Sequence, residues 1–266
     1  MKISIIMSIF NDKVYLKDCL ESIRRQTFTD WECILIDDGS TDGSSTILQQ
    51  YADLDMRFKV IRLPENKGLA GALNVGISKA QGEFIARHDG DDIMLPNRLE
   101  EQYAHLMVNP SIDVLGSHAS IIDEKGNVTG RLTTPAIPSP RNIMKVNPVI
   151  HPSVLIRKSV FEKYGAYNEK LRRCQDYDLW FRFMKHNVTF ANLEKELLLY
   201  RITDKSYTKK RYKYRIYEAQ ILWNGLRLNK IPLIQGIYIL KPLIVGLIPK
   251  KFYENFQRFY KFKRTA

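Results

Sequence analysis

Apolar and polar positions alternate in regular blocks through the first 110 residues of the chain. Apolar runs at residues 3–9, 33–36, 58–63 and 84–87 have the length of strands buried on both faces. Between them, apolar residues recur at helical spacing, which predicts helices near residues 16–23, over 41–51 and 69–80, and from Pro96 to residue 109. Asn11-Asp12 is expected to cap the first helix, Asp42 or Ser44 to open the second, and Pro96 to lie in the first turn of the fourth. This alternation predicts an α/β fold with a doubly wound parallel sheet, in which ligands bind outside the carboxyl ends of the strands.

The pattern changes after residue 113. Runs at 114–122 and 128–132 flank a polar turn, as in a hairpin, and five prolines in residues 135–152 predict a crossing loop. A strand at 154–156, helices at 159–164 and 176–186, and closing strands at 188–193 and 197–200 are expected to follow. We therefore divide residues 1–203 into halves at 1–112 and 113–203, and separate residues 204–266 as a helical tail.

Carboxylates follow two of the predicted strands. Asp37 and Asp38 end the second strand, and Asp89, Asp91 and Asp92 follow the fourth. Three carboxylates within four residues repel one another and resist desolvation, which favours a cation between them. Mg²⁺ or Mn²⁺ suits such oxygen ligands. The alternative to a metal site is a polar turn, in which Asp and Gly are common. Topology places both acidic clusters at one crevice.

Charge is distributed unevenly along the 266 residues. The net charge is +12, and residues 201–266 contain 16 Lys and Arg against 3 Asp and Glu. This asymmetry indicates an anionic partner for the tail, either nucleic acid or a membrane surface. Three dispersed cysteines indicate a reducing compartment, and residues 3–10 are interpreted as a first strand because no small-residue cleavage site follows them. We expect a cytoplasmic protein.

Seven short segments follow one another in a fixed order along the chain, at residues 5–11, 26–28, 36–42, 66–76, 82–85, 89–92 and 175–180. Each segment is individually weak, but their shared order and spacing are specific. Together they resemble family 2 glycosyltransferases with the GT-A fold, and the resemblance covers residues 1–203. The resemblance implies a nucleotide-sugar-binding half, a smaller mixed acceptor-binding half, and a DxD metal motif at the carboxylate cluster.

The resemblance also implies roles for individual residues. Asp38 would bind the nucleotide base, helped by Ser8 and the backbone near Phe10, while Asp89 or Gly90 would lie against the ribose and diphosphate. Asp176 would be the general base that deprotonates the acceptor. The implied donor-binding set is Ser8, Phe10, Asn11, Asp38, Lys67, Gly68, Asp89, Gly90 and Asp91, with Asp91 as the metal ligand, and the implied acceptor side is Asp92, His151 and Gln175.

Two positions depart from the family pattern. Gln175 replaces the Glu that precedes the base, which removes one charge but leaves Asp176 intact. Thr203 stands where many members have a His that approaches the metal or diphosphate.

The reaction implied by the resemblance is an inverting, metal-dependent sugar transfer of the hexosyltransferase type. The donor is expected to be a UDP-sugar, the cofactor Mn²⁺ or Mg²⁺, and the acceptor a hydroxyl of a glycan or lipid-linked glycan in polysaccharide synthesis. A sugar nucleotidyltransferase would instead need a basic, Gly-rich triphosphate loop after the first strand, where this chain has residues 8–11. In a non-enzymatic nucleic-acid binder, the acidic crevice would repel the nucleic acid.

The tail combines basic, aromatic and apolar residues. Lys209, Lys210, Arg211, Lys213 and Arg215 interleave with tyrosines, which suits a lipid headgroup region. Residues 231–249 are strongly apolar, but Lys241 and three prolines interrupt them, so we expect an interfacial segment on the inner face of the plasma membrane. The alternative is that this segment packs on the catalytic domain or on a second subunit.

Overall fold

The computed structural model describes residues 1–203 and 212–247. Within them, one mixed sheet has the strand order β3-β2-β1-β4-β8-β6-β9-β5, and β7 pairs with β6. The strands are β1 Ile3–Ile9, β2 Trp31–Asp37, β3 Phe58–Arg62, β4 Phe84–Arg87, β5 Ile93–Met94, β6 Val114–Ile122, β7 Val128–Leu132, β8 Leu155–Arg157 and β9 Phe190–Arg201. The helices are α1 Lys13–Arg24, α2 Ser44–Leu54, α3 Gly68–Lys79, α4 Arg98–Val108, α5 Pro140–Lys145, α6 Lys158–Tyr164, α7 Gln175–Lys185, α8 Tyr212–Leu228 and α9 Ile237–Leu247, with 3₁₀ turns at His151–Ser153 and Leu233–Gly236.

The first four strands form the parallel sheet that the sequence predicts. β1 lies between β2 and β4, with Ile9 opposite Asp37 and Ile6 opposite Arg87. Every residue of β2 and β4 is buried, as expected of strands covered by helices on both faces. The doubly wound expectation for this half is therefore confirmed.

The second half of the sheet is mixed. β8 runs antiparallel to β4 and β6, whereas β9 runs parallel to β6. The prediction of two closing strands at 188–193 and 197–200 is wrong, because β9 is one strand. Ser117 pairs with Leu193 but His118 pairs with Glu196, so Glu194 and Lys195 bulge out of the ladder. A bulge can place exposed charges within a continuous strand. Glu194 and Lys195 therefore interrupt the apolar pattern without ending the strand.

Three local expectations need correction. Asp12 is at the N-cap of α1, but its carboxylate accepts a hydrogen bond from the Phe10 N–H and caps no helical N–H. Pro96 precedes α4, which begins at Arg98 after Asn97. Residues 135–152 are not wholly loop, since they contain α5, where Ser139 accepts from the Asn142 N–H, and part of a 3₁₀ turn.

The first tail helix packs on the body of the protein. Ile221, Leu222 and Leu226 of α8 join the core cluster that contains Trp180 and Phe181 of α7. A Cβ at Gly225 would lie 2.3 Å from the Phe181 ring, so a glycine permits this close approach. No helix within residues 1–203 and 212–247 is long and apolar enough to cross a membrane. The basic segment 209–211 predicted to meet a membrane lies outside the described residues.

Candidate active site

The two acidic segments lie on either side of the carboxyl end of β1. The Asp38 N–H donates to the Ile9 carbonyl at 2.9 Å, and the His88 N–H donates to the Ile6 carbonyl at 3.3 Å. Because β2 and β4 flank β1 in the parallel sheet, Asp38 and the 89–92 segment lie at neighbouring positions at one edge of the sheet. This is the arrangement that topology predicted.

Asp38 orders the loop that leads into α3. Its two carboxylate oxygens accept hydrogen bonds from the backbone N–H groups of Lys67 at 2.7 Å and Gly68 at 2.9 Å. Burial raises the pKa of Asp38, while these two hydrogen bonds act in the opposite direction. Asp38, Lys67 and Gly68, which the sequence assigned to the donor site separately, thus form one structural unit.

Residues after β1 form the other side of this region. Asn11 has a positive φ of 58°, and its Oδ1 accepts from the Thr41 N–H at 2.8 Å. The Asn11 N–H in turn donates to Ser40 Oγ at 3.2 Å. Phe10 is exposed and Ser8 half-buried. The three predicted donor residues Ser8, Phe10 and Asn11 therefore lie on the strand end and turn beside Asp38.

The carboxylates of Asp89, Asp91 and Asp92 can each offer an oxygen within 4.8 Å of the others. Asp92 is buried, and its Oδ1 accepts from the Arg201 N–H at 2.8 Å. Its Oδ2 is buried without a hydrogen-bond partner among the described residues. Burial, followed by the charges of Asp89 and Asp91, raises the pKa of Asp92 well above its usual range. A hard divalent cation fits this set of oxygen donors.

Asp12 was not identified as a site residue from the sequence. Burial raises its pKa to about 7, and Asp91 and Asp89 contribute by charge repulsion. A Cβ at Gly90 would lie 2.9 Å from Asp12 Oδ2, so the glycine allows the acidic segment to approach this carboxylate. Asp12 thus belongs electrostatically to the same cluster.

Arg87 is a further residue that sequence reasoning missed. It is buried at the end of β4, and its two terminal nitrogens donate to the two carboxylate oxygens of Asp89. An arginine that ends an apolar run was a usable signal, because buried guanidinium groups require partners. Arg87 fixes the first carboxylate of the acidic segment from inside the protein.

Arg201 approaches the acidic segment from β9. Its backbone N–H contacts Asp92, and its Nε donates to the Asp91 carbonyl at 2.8 Å. The stretch in which many family members have a His therefore reaches this cluster through Arg201, two residues before Thr203.

Asp176 lies in the first turn of α7 and lines a cavity of about 270 Å³. Its Oδ2 accepts a hydrogen bond from Asn147 Nδ2. Burial raises the pKa of Asp176, while the backbone N–H of Tyr177, the charge of Arg87 and the Asn147 amide oppose that rise. The carboxylate is therefore held in place by hydrogen bonds at the wall of a cavity.

The predicted acceptor-side residues are placed differently from one another. His151 lines the same cavity, and its Nε2 shares a 2.6 Å hydrogen bond with the Tyr167 hydroxyl. Gln175 is buried and donates to the Leu171 carbonyl at 3.2 Å. Asp92 belongs to the acidic cluster. The structure thus brings His151 and Asp176 together, with Asn147 as a neighbour that the sequence did not indicate.

The charge of the buried Arg87 acts on both the acidic cluster and Asp176. Arg87 pairs with Asp89, and its positive charge opposes the rise in the pKa of Asp176. A reactant between the cluster and the cavity would meet a cation-binding group on one side and a carboxylate on the other. This arrangement can stabilise negative charge and remove a proton within one site.

The sequence matches the model of the glycosyl transferase family 2 domain over residues 4–183. It is 38% identical over 251 residues to the putative glycosyltransferase EpsE of Bacillus subtilis (strain 168), covering 93% of this chain and 90% of that protein. It is 33% identical over 222 residues to the O-antigen biosynthesis glycosyltransferase WbnJ of Escherichia coli, covering 80% and 84%.

Two solved structures have the same fold. TarS 1–349 of S. aureus in complex with UDP aligns with a TM-score of 0.65 and 21% identity, covering 93% of this chain and 81% of that one. The mannosyltransferase PcManGT of Pyrobaculum calidifontis, in complex with GDP-Man and Mn²⁺, aligns with a TM-score of 0.69 and 16% identity, covering 92% and 68%. These likenesses confirm the GT-A fold expected from the sequence.

Proposed function

Because this chain belongs to glycosyl transferase family 2, we propose that it transfers a sugar from a UDP-sugar to a hydroxyl of a glycan or lipid-linked glycan, with inversion, in cell-surface polysaccharide synthesis. The observation that carries the proposal is the grouping of the carboxylates of Asp89, Asp91 and Asp92 within 4.8 Å of one another, together with a further carboxylate, Asp176, at the wall of a cavity. Such a transfer needs a group that neutralises the leaving diphosphate and a group that removes the acceptor proton.

The donor side consists of the Asp38 unit and the acidic segment. In the proposal, Asp38 and the backbone around Ser8 and Phe10 receive the uracil, and Asp89 and Gly90 lie against the ribose and diphosphate. The UDP complex of TarS supports uridine as the base, whereas PcManGT was solved with a guanosine donor. The choice of UDP is therefore part of the proposal.

The cofactor in the proposal is Mn²⁺ or Mg²⁺, with Asp91 as its ligand. The cation fits this site because Asp89, Asp91 and Asp92 can each offer an oxygen within 4.8 Å of the others. In addition, Oδ2 of Asp92 has no hydrogen-bond partner among the described residues. When bound, a divalent cation would neutralise charge on the diphosphate leaving group. The Mn²⁺ in the PcManGT structure supports this assignment.

The acceptor side is the cavity beside Asp176. Asn147 donates to Oδ2 of Asp176, and the Asp176 carboxylate takes the proton of the acceptor hydroxyl. Attack from this side, opposite the leaving diphosphate, inverts the anomeric centre. His151, with its Nε2 tied to Tyr167, would contact the acceptor from the same cavity, while Gln175 supports the start of α7.

A donor screen tests the proposal directly. Thermal stabilisation of the full chain would be measured with UDP-, GDP- and dTDP-sugars, each with and without Mn²⁺. We expect a UDP-sugar with Mn²⁺ to stabilise most, and the same donor to be hydrolysed or transferred with inversion at the anomeric carbon, as observed by NMR. Formation of a nucleotide-sugar from a nucleoside triphosphate and a sugar phosphate would overturn it in favour of a nucleotidyltransferase.

A further inference from the structure

The segment after α8 exposes a continuous aliphatic face. The 3₁₀ turn Leu233–Gly236 and α9 project side chains at intervals of three and four residues, which is the spacing of one helical face. The members of this face, here called the 233–247 face, are Leu233, Ile234, Ile237, Leu240, Ile244 and Leu247, each between 52 and 82% exposed. Large exposed aliphatic surfaces of this kind mark interaction sites.

Basic residues lie within and after this segment of the sequence. Lys241 of α9 donates from its Nζ to the Lys145 carbonyl at 2.8 Å, and Lys145 itself lies over the Tyr238 ring. Residues 248–266, which follow α9 directly in sequence, contain six Lys and Arg, one Glu and six aromatic residues. A second copy of the chain would bring these like charges together, whereas an anionic bilayer would attract them and bury the aliphatic face.

The 233–247 face is structurally connected to the acceptor cavity. α9 and the Leu233–Gly236 turn pack against α5, which ends at Lys145. Val146 and Asn147 follow immediately and line the cavity, and Asn147 holds Asp176. Val146 is itself exposed. The aliphatic face and the rim of the cavity are thus joined through one short helix.

We propose that the 233–247 face docks on an anionic lipid bilayer, so that the cavity beside Asp176 opens at the membrane surface and receives a lipid-linked acceptor. The choice of acceptor rests on the function proposed above, whereas the docking does not. α9 would lie in the plane of the interface, because no helix in the described part of the chain can span a bilayer.

Vesicle binding of the full chain tests the docking. The probe is unilamellar vesicles of phosphatidylglycerol and phosphatidylcholine in equal parts, compared with phosphatidylcholine alone. The variant Ile237→Ser/Leu240→Ser/Ile244→Ser removes half of the face, and we expect its partitioning to fall by about tenfold or more. The matched control is Leu54→Ser/Met56→Ser/Val108→Ser, which removes three apolar side chains that are also exposed but lie outside this face. The control should partition like the parent chain.

A fluorescent label tests the orientation. In a Cys174→Ser background the two remaining cysteines are fully buried, so a single introduced cysteine can carry an environment-sensitive dye. Leu240→Cys and Val146→Cys should shift to shorter wavelength when anionic vesicles are added, and Met56→Cys should not. A shift at Leu240→Cys without one at Val146→Cys would overturn the opening of the cavity at the membrane.

The remaining outcomes identify other occupants. Equal partitioning of the triple variant and the parent would overturn the bilayer proposal. The same result is expected if residues 248–266 cover the face. A dimer in light scattering that the triple variant converts to a monomer would identify a second copy as the occupant and also overturn it. Donor hydrolysis measured without vesicles separates the two proposals: its absence counts against the proposed function, while the vesicle data still decide the docking.

Discussion

Arg87 and Asp89 form a bidentate ion pair in which Nη1 and Nη2 of the arginine each donate to one carboxylate oxygen. Arg87 is buried, whereas Asp89 remains partly exposed at the acidic segment. The pair therefore holds a predicted donor-binding carboxylate from behind and leaves it accessible in front. Arginine is suited to this task because its planar fork matches a carboxylate.

Replacing Arg87 tests what this pair contributes. Arg87→Met leaves Asp89 beside Asp91 and Asp92 without a compensating charge, so we expect the free energy of unfolding to fall by about 2 kcal/mol in chelator. Mn²⁺ should restore more stability to the variant than it adds to the parent, since it supplies positive charge at the same carboxylates. Urea denaturation with and without Mn²⁺ measures both effects. Arg24→Met, which breaks a surface pair with Glu21, should cost under about 1 kcal/mol and show no added response to Mn²⁺.

Asp91→Asn tests the assigned metal ligand. An amide oxygen carries no charge, so UDP binding in Mn²⁺ should weaken by about tenfold or more, while UDP binding in chelator should change little. Titration calorimetry measures the two affinities. Asp18→Asn, an exposed acid on α1, is the matched control. Full activity of the parent chain in excess chelator would remove the metal from the mechanism.

Asp176→Asn tests the general base. The substitution keeps the shape of the side chain but cannot take the acceptor proton, so turnover should fall by about 10²-fold or more with donor binding unchanged. Steady-state transfer kinetics and UDP titration separate the two quantities. The control is Asp178→Asn, two residues after Asp176, which loses an ion pair with Arg182 and should leave turnover within a few-fold of the parent. A variant at Asp176 with near-normal turnover would exclude it as the base.

Asn147→Ala tests the residue that positions Asp176. The Asn147 amide stabilises the charged carboxylate, so its loss raises the pKa of Asp176 further. A base is active when deprotonated, and the acidic limb of the pH–kcat profile should therefore move to higher pH. The loss of turnover should be greater at acidic than at alkaline pH. Asn109→Ala, at the end of α4, should leave the profile unchanged, and an equal loss at every pH would indicate a merely structural role for Asn147.

Local pattern was sufficient where one strand and one helix alternate. The mainly apolar runs at 3–9 and 84–87 correspond to β1 and β4, because strands buried on both faces need apolar side chains at most positions. The positions of Asp38 and Asp89 followed from topology, since the carboxyl ends of parallel strands share an edge. The pattern failed at β9, where a bulge carries Glu194 and Lys195 within a paired strand.

The sequence by itself thus determined the α/β class, the family resemblance and the identity of the acidic groups, because these depend on local patterns and on the order of short segments along the chain. The tertiary structure decided which other residues act on them. Arg87 pairs with Asp89, Asn147 donates to Asp176, and Arg201 donates to Asp91 and Asp92. It also decided that α8 packs into the core while one face of α9 remains exposed. Composition alone left those outcomes open, because an apolar helix is equally suited to a core, a partner or a bilayer until its neighbours are known.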